Sequence, residues 1–254
     1  MKRTVSFVLS LLLCGVIFAQ SGKYTIFSPE KPNGVAIICC PGGGYETVCD
    51  EHEGKGWAAE MNELGITWIV LNYRLPDGNP SIPFDDVKKT MQEIKKIGPS
   101  IGVDTSQIGI AGFSAGGHLA ATYSCYSPKE LKPAFQILFY PVISMRKGLT
   151  HLGSRQHLLG ENPPKDLVNY YSLEKHTDSL PPTLIFVSKD DAVVSPRNTK
   201  LYIKALKSTF LMHDIFPTGN HGWGNSKDFE FHYLVLLDIK TFLLHTTAKT
   251  APFL

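Results

Sequence analysis

The segment that most restricts this chain runs from residue 108 to residue 126. Ile108-Gly109-Ile110-Ala111-Gly112 is a short apolar run with strand character, and Phe113-Ser114-Ala115-Gly116 follows it without a linker before a helix-forming stretch to Tyr126. A strand that passes directly into a helix must turn tightly, and the G-x-S-x-G spacing keeps side chains out of the positions where the turn has no room for them. The same turn lifts the Ser114 hydroxyl above the edge of the sheet. A serine so displayed is a candidate nucleophile, provided the rest of the chain supplies a base and an acid to orient that base.

Apolar, β-branched runs at 35–40, 66–72, 108–112, 135–140, 183–188 and 213–216 read as strands. Amphipathic stretches at 56–64, 85–97, 115–126, 196–208 and 228–244 read as helices between and after them. In the second, Val87, Met91, Ile94 and Ile97 share a face that Lys88, Lys89, Lys95 and Lys96 mostly avoid. Repeated strand-helix-strand order implies an α/β fold with a mainly parallel twisted sheet and helices on both faces. Ligands in such sheets bind at the carboxyl ends of the strands. Residues 141–182 break the rhythm, being richer in Gly, Pro, His and Arg, and are expected to form a cap-like insertion over the site.

Two strand ends supply the partners Ser114 needs. Lys189-Asp190-Asp191-Ala192-Val193-Val194-Ser195-Pro196 puts two carboxylates just before a helix, and Asp191 is expected to orient the base while Asp190 braces the loop. Of nine histidines, His221 alone sits in a glycine-rich loop after a late strand, Pro217-Thr218-Gly219-Asn220-His221-Gly222-Trp223-Gly224. The order Ser, Asp, His is that of proteins with this serine turn. His118, one helical turn past Ser114, reads as a hydrogen-bonded structural residue, and His52, His151, His157 and His176 as surface or satisfied histidines near the pocket. An attacked carbonyl also needs donors where its negative charge develops. Pro41-Gly42-Gly43-Gly44-Tyr45, directly after the first long strand, has the composition for that, so the amides of Gly43, Gly44 and Ala115 are the expected oxyanion donors. Tyr45 and Trp223, beside these loops, are the expected substrate contacts.

The first residues read as an export leader: Lys2 and Arg3, an apolar run at 5–18, then Ala19-Gln20-Ser21, with cleavage near Ala19. The run is short for a membrane span, and Leu13 is too large for the residue before a lipidated Cys14. Export to the periplasm or medium is expected, with residues 20–254 as one catalytic domain, since the 254-residue chain has the ordinary composition of a globular protein, 43% hydrophobic and 19% charged. Losing Lys2 and Arg3 takes the 25 basic residues to 23, equal to the 23 acidic ones. No basic field remains to recruit nucleic acid or anionic membrane. Cys39 and Cys40 read as small buried hydrophobes, a Cys40–Cys49 bridge being the alternative in an oxidising compartment. No metal-ligand spacing is present, and neither metal nor cofactor is expected.

Taken together these residues resemble the small α/β-hydrolase carbohydrate esterases, typified by acetylxylan esterases and their exported relatives. The resemblance covers nearly all of the chain after the leader. It rests on Cys40-Pro41-Gly42-Gly43-Gly44-Tyr45, His52-Glu53-Gly54, Leu71-Asn72-Tyr73-Arg74-Leu75, Gly112-Phe113-Ser114-Ala115-Gly116-Gly117-His118-Leu119, Tyr140-Pro141-Val142-Ile143-Ser144, Gly153-Ser154-Arg155 and Leu159-Gly160-Glu161-Asn162-Pro163. It implies an α/β-hydrolase fold, Ser114, Asp191 and His221 as a catalytic triad, and removal of acetyl groups from sugar hydroxyls, with an acetylated carbohydrate or small ester as partner. Pro41 stands where such loops usually carry histidine, Lys189 where a small residue is expected, and Ser195 where proline is more usual; these departures touch loop shape more than chemistry. The rival readings are a lipase or peptidase of the same fold, and a non-catalytic carbohydrate-binding protein, which would normally have lost a triad member.

Overall fold

The computed structural model describes residues 24–207 and 209–247; the leader-like segment lies outside them. Seven strands form one sheet in the order β1-β3-β2-β4-β5-β6-β7. Five form its parallel centre: β2 (Ala36–Cys40), β3 (Thr67–Leu71), β4 (Ile108–Phe113), β5 (Gln136–Phe139) and β6 (Thr183–Ser188), with β7 (Leu211–Phe216) parallel at one edge. β1 (Tyr24–Phe27) runs antiparallel to β3 at the other edge. Sequence pattern missed β1, because four residues buried on one face only carry little periodic signal.

The central strands are apolar throughout because both faces are covered. Along β2, Ala36, Ile38 and Cys40 face one core while Ile37 and Cys39 face the other. The first core packs against α2 (Ser81–Ile97) through Val87, Met91 and Ile94, and against α3 (Ser114–Tyr126) and α6 (Arg197–Ala205). The second packs against α1 (Ala58–Glu63) and α7 (His232–Thr246) through Met61, Ile239 and Phe242. The helix α2 begins four residues before its expected start at 85, since Pro83 in the first turn needs no intrahelical acceptor for the N–H it lacks.

Residues 141–182 carry α4 (Leu152–Leu159) and α5 (Lys165–Tyr170). Asn198 of α6 ties this excursion down: its Oδ1 accepts from the Ile143 and Ser144 amides at 3.2 and 3.0 Å, and its Nδ2 donates to the Leu149 carbonyl at 2.9 Å. Arg155, itself buried, donates from Nε to the Met145 carbonyl at 2.9 Å. Cys39, Cys40, Cys49 and Cys125 are free thiols. Cys40 is fully buried inside β2 while Cys49 is exposed on the following loop, so the alternative bridge is not formed.

Candidate active site

Every segment expected to carry chemistry leaves the sheet at the same edge, because β2, β4, β6 and β7 run parallel. The order reverses at β2, which has β3 on one side and β4 on the other. That reversal opens a crevice at the carboxyl end of the sheet.

Ser114 occupies the turn between β4 and α3 with φ of 50°. A non-glycine residue is rarely found there, and the surroundings hold it in place. A Cβ on Gly112 would lie 2.2 Å from the Gly116 carbonyl oxygen, and one on Gly116 would lie 2.0 Å from the Cys40 carbonyl oxygen. The motif glycines are thus a packing requirement of backbone on backbone. The Ser114 hydroxyl donates to His221 Nε2 at 2.8 Å, and His221 Nδ1–H donates to Asp191 Oδ2 at 2.7 Å. The Asp191 side chain is fully buried and its other oxygen accepts from the Val193 and Val194 amides at 3.0 and 2.8 Å. Hydrogen bonds to both oxygens hold Asp191 as a fixed acceptor, which sets the imidazole tautomer and leaves Nε2 as a base toward the serine.

Asp190 is exposed and clasps the neighbouring loop. Its carboxylate accepts from the Asn220 amide at 2.8 Å and the Gly219 amide at 3.3 Å, while Asn220 Oδ1 accepts from Ala192 N–H at 3.1 Å. The acid loop and the histidine loop are therefore fastened to each other beside the Asp191–His221 bond.

The glycine loop lies against the serine turn, such that a Cβ on Gly42 would meet Ser114 Cβ at 3.1 Å. Gly43 has φ of 116°, and a Cβ there would fall 2.3 Å from the Thr47 carbonyl oxygen. The N–H groups of Gly43 and Gly44 have no acceptor among the hydrogen bonds of the described residues, and that of Ala115 lies in the first turn of α3, where helix amides lack partners. The Gly42 amide is different: it donates to Glu53 Oε2 at 2.9 Å.

Glu53 was read in the sequence only as part of a motif, yet it is nearly fully buried here. Its Oε1 accepts from the Tyr140 hydroxyl at 2.7 Å, and the Tyr140 oxygen accepts from the Gly224 amide at 3.0 Å. The Tyr140 ring meets the His221 ring edge-on at 4.7 Å. One carboxylate thus connects the glycine loop to the histidine loop.

Tyr45 and Trp223 depart from the expectation of direct substrate contact. Tyr45 is 2% exposed and its hydroxyl donates to His118 Nδ1 at 3.0 Å; Trp223 is 6% exposed and stacks on Phe229 at 4.3 Å. Both fill space under tight turns and act by packing. His118 is structural as expected: its Nε2–H donates to the Tyr171 carbonyl at 2.9 Å, and complete burial holds its pKa down at about 4. His151 caps α4 by accepting from the Ser154 amide at 3.3 Å, and burial pushes its pKa below the usual value, the nearby His221 and His157 adding to this. His157 Nδ1 donates to the Gly44 carbonyl at 3.1 Å, which fixes α4 to the glycine loop. His52 bonds to the Gly222 carbonyl at 2.5 Å and His176 to the Asn169 carbonyl at 3.0 Å. Among the described residues no cluster of three or more His, Cys, Asp or Glu is placed to hold a metal, and no helix is long and apolar enough to cross a membrane.

A parallel sheet sandwiched by helices, with a Ser–His–Asp hydrogen-bond chain and unpaired amides on its carboxyl edge, defines a class of protein. The chain belongs to the α/β-hydrolase fold family, whose model matches residues 40–168. It is 38% identical over 224 residues to an acetylxylan esterase of Xylanibacter ruminicola, covering 85% of this chain and 47% of that one. It is 33% identical over 205 residues to endo-1,4-β-xylanase B of Butyrivibrio fibrisolvens, covering 73% and 32%. The chain therefore spans less than half the length of these two relatives. Among solved structures, an acetyl ester-xyloside bifunctional hydrolase from Caldicellulosiruptor lactoaceticus superposes with a TM-score of 0.80 at 30% identity, covering 87% of each chain.

Proposed function

We propose that this protein is a serine esterase that removes acetyl groups from the hydroxyls of a plant polysaccharide such as xylan. The observation that carries this reading is the continuous chain from Ser114 through His221 to Asp191, at 2.8 and 2.7 Å. The acetylxylan esterase among its relatives supports acetyl as the group removed.

In the first half-reaction His221 Nε2 takes the hydroxyl proton as Ser114 Oγ bonds to the ester carbonyl carbon. The displaced carbonyl electrons form an oxyanion that the Gly43, Gly44 and Ala115 amides receive, each such donor being worth roughly 3 kcal/mol in comparable sites. The intermediate collapses, the sugar oxygen leaves with the proton held by His221, and acetyl remains on Ser114. Water then gives a proton to His221, attacks the acetyl carbon and releases acetate, and the proton returns to Ser114. Acetate release from acetylated xylan by the wild type, abolished in Ser114→Ala, is the expected result; release undiminished in Ser114→Ala would overturn the reading.

Residues 2–21 have the charge and apolar pattern of an export leader, which supports an activity outside the cytoplasm. Recovered from the producing cell, the protein should begin near Gln20; an intact Met1 on cytoplasmic protein would refute this.

A further inference from the structure

Immediately beyond the glycine loop lies an open cleft of about 400 Å³ that none of the chemistry above uses. Glu46 and the edge of the otherwise buried Tyr45 form one side, Leu75 and Asp77 from the loop after β3 a second, and Gln156 and Glu161 at the end of α4 a third. The three sides are fastened to one another. His157 Nδ1 donates to the Gly44 carbonyl at 3.1 Å, and the His157 carbonyl accepts from the Gly78 amide at 2.8 Å. The cleft is thus built in advance of any ligand, which lowers the entropic cost of filling it.

Its chemistry selects among occupants. Among the described residues no lysine or arginine lines it, while Glu46, Asp77 and Glu161 are exposed carboxylates, so a phosphate, a sulfate or a uronic acid would be repelled. Leu75, 40% exposed, is its one exposed apolar side chain among the described residues, too little for a fatty acyl chain but enough for the C–H face of a single ring. Carboxylates and the Gln156 amide, itself held at 2.9 Å by Glu161, are acceptors suited to hydroxyl donors. Tyr45 adjoins Gly44, so a polymer whose ester carbonyl sits at the glycine loop would reach the cleft with its next unit.

We infer that this cleft is a subsite for an uncharged sugar unit adjoining the one that carries the ester. The inference rests on the esterase reading above and adds the neutral backbone of the polymer as what is recognised.

The test uses the full chain. In Ser114→Ala, titration with unacetylated xylotetraose should show saturable binding, with no binding of tetragalacturonate; the cationic tetramer of glucosamine, to which the three carboxylates are open, is the competing occupant. Asp77→Asn, which keeps a residue tolerant of the positive φ of 45° there, combined with Glu161→Gln should weaken xylotetraose by on the order of tenfold. In the wild-type background the same pair should lower kcat/KM on acetylated xylotetraose, through KM, by on the order of tenfold relative to 4-nitrophenyl acetate, whose alcohol is a single aryl ring with no adjoining sugar unit. Tighter binding of either charged tetramer, or an unchanged sugar-to-aryl ratio, would overturn the subsite while leaving the esterase reading intact. Failure of the wild type to release acetate from any sugar ester would overturn both.

Discussion

Glu53 and Tyr140 share a buried 2.7 Å hydrogen bond although they lie 87 residues apart. The other Glu53 oxygen holds the Gly42 amide, and the Tyr140 oxygen holds the Gly224 amide, so the glycine loop and the histidine loop are set by one carboxylate. Glu53→Ala leaves two buried donors unpaired, each costing about 1–3 kcal/mol. Both loops lose their support, and kcat on 4-nitrophenyl acetate should fall by roughly tenfold or more with little change in KM. Glu53→Gln, which keeps one acceptor oxygen, should recover most of the melting temperature and part of kcat. Steady-state kinetics and thermal unfolding on both variants check this; an unaltered kcat in Glu53→Ala refutes it.

The two adjacent acids should separate cleanly. Asp191 accepts from His221 and two backbone amides, whereas Asp190 accepts only from the Gly219 and Asn220 amides. Asp191→Asn can present a donor to Nδ1 and favour the wrong imidazole tautomer, so kcat should drop on the order of 10³–10⁴-fold. Asp190→Asn loosens an exposed clasp and should cost less than about tenfold, since its hydrogen bonds are solvated. Equal losses in both variants would show that the orienting acid has been misassigned.

Much of this was readable from the sequence because the constraints are local. The turn at Gly112-Phe113-Ser114-Ala115-Gly116 and the loops after β2, β6 and β7 each concentrate a backbone requirement and a reactive group within a few residues. The central strands were legible because burial on both faces makes them uniformly apolar. Three features were not legible, each for a tertiary reason. Glu53 becomes significant only when the fold brings Tyr140 and Gly42 to its two oxygens. Tyr45 and Trp223 carry the composition of binding residues, but packing turned them inward. The edge strand β1 is a strand because β3 offers it a partner, through register pairs from Tyr24 with Leu71 to Phe27 with Trp68.

His118 makes stability depend on pH with a definite sign. Its pKa is about 4 in the folded chain against 6.5 for an unperturbed imidazole, because burial opposes the charged form more than the bond to the Tyr171 carbonyl favours it. Between those values the unfolded chain binds a proton that the folded chain does not. The contribution is complete above about pH 6.5 and is lost as pH falls through 4, amounting to about 3 kcal/mol. His118→Gln can still donate to Tyr171 and accept from Tyr45 but does not titrate. Denaturant unfolding at pH 7 and pH 4 should show the wild type losing about 3 kcal/mol more than this variant. Equal losses would refute the assignment.

Ser114 trades stability for position. Its φ of 50° places a side-chain-bearing residue in the left-handed region, at a cost of about 1–2 kcal/mol. Ser114→Ala keeps that strain and loses the hydroxyl. Ser114→Gly loses the hydroxyl and the strain together, against a smaller penalty from the greater freedom of glycine in the unfolded chain. Both variants should be inactive on 4-nitrophenyl acetate, and Ser114→Gly should be the more stable of the two by about 1 kcal/mol in denaturant unfolding. If Ser114→Ala proves equally stable, the turn is relaxed rather than strained, and the position of the hydroxyl is maintained without the backbone cost its dihedral angle implies.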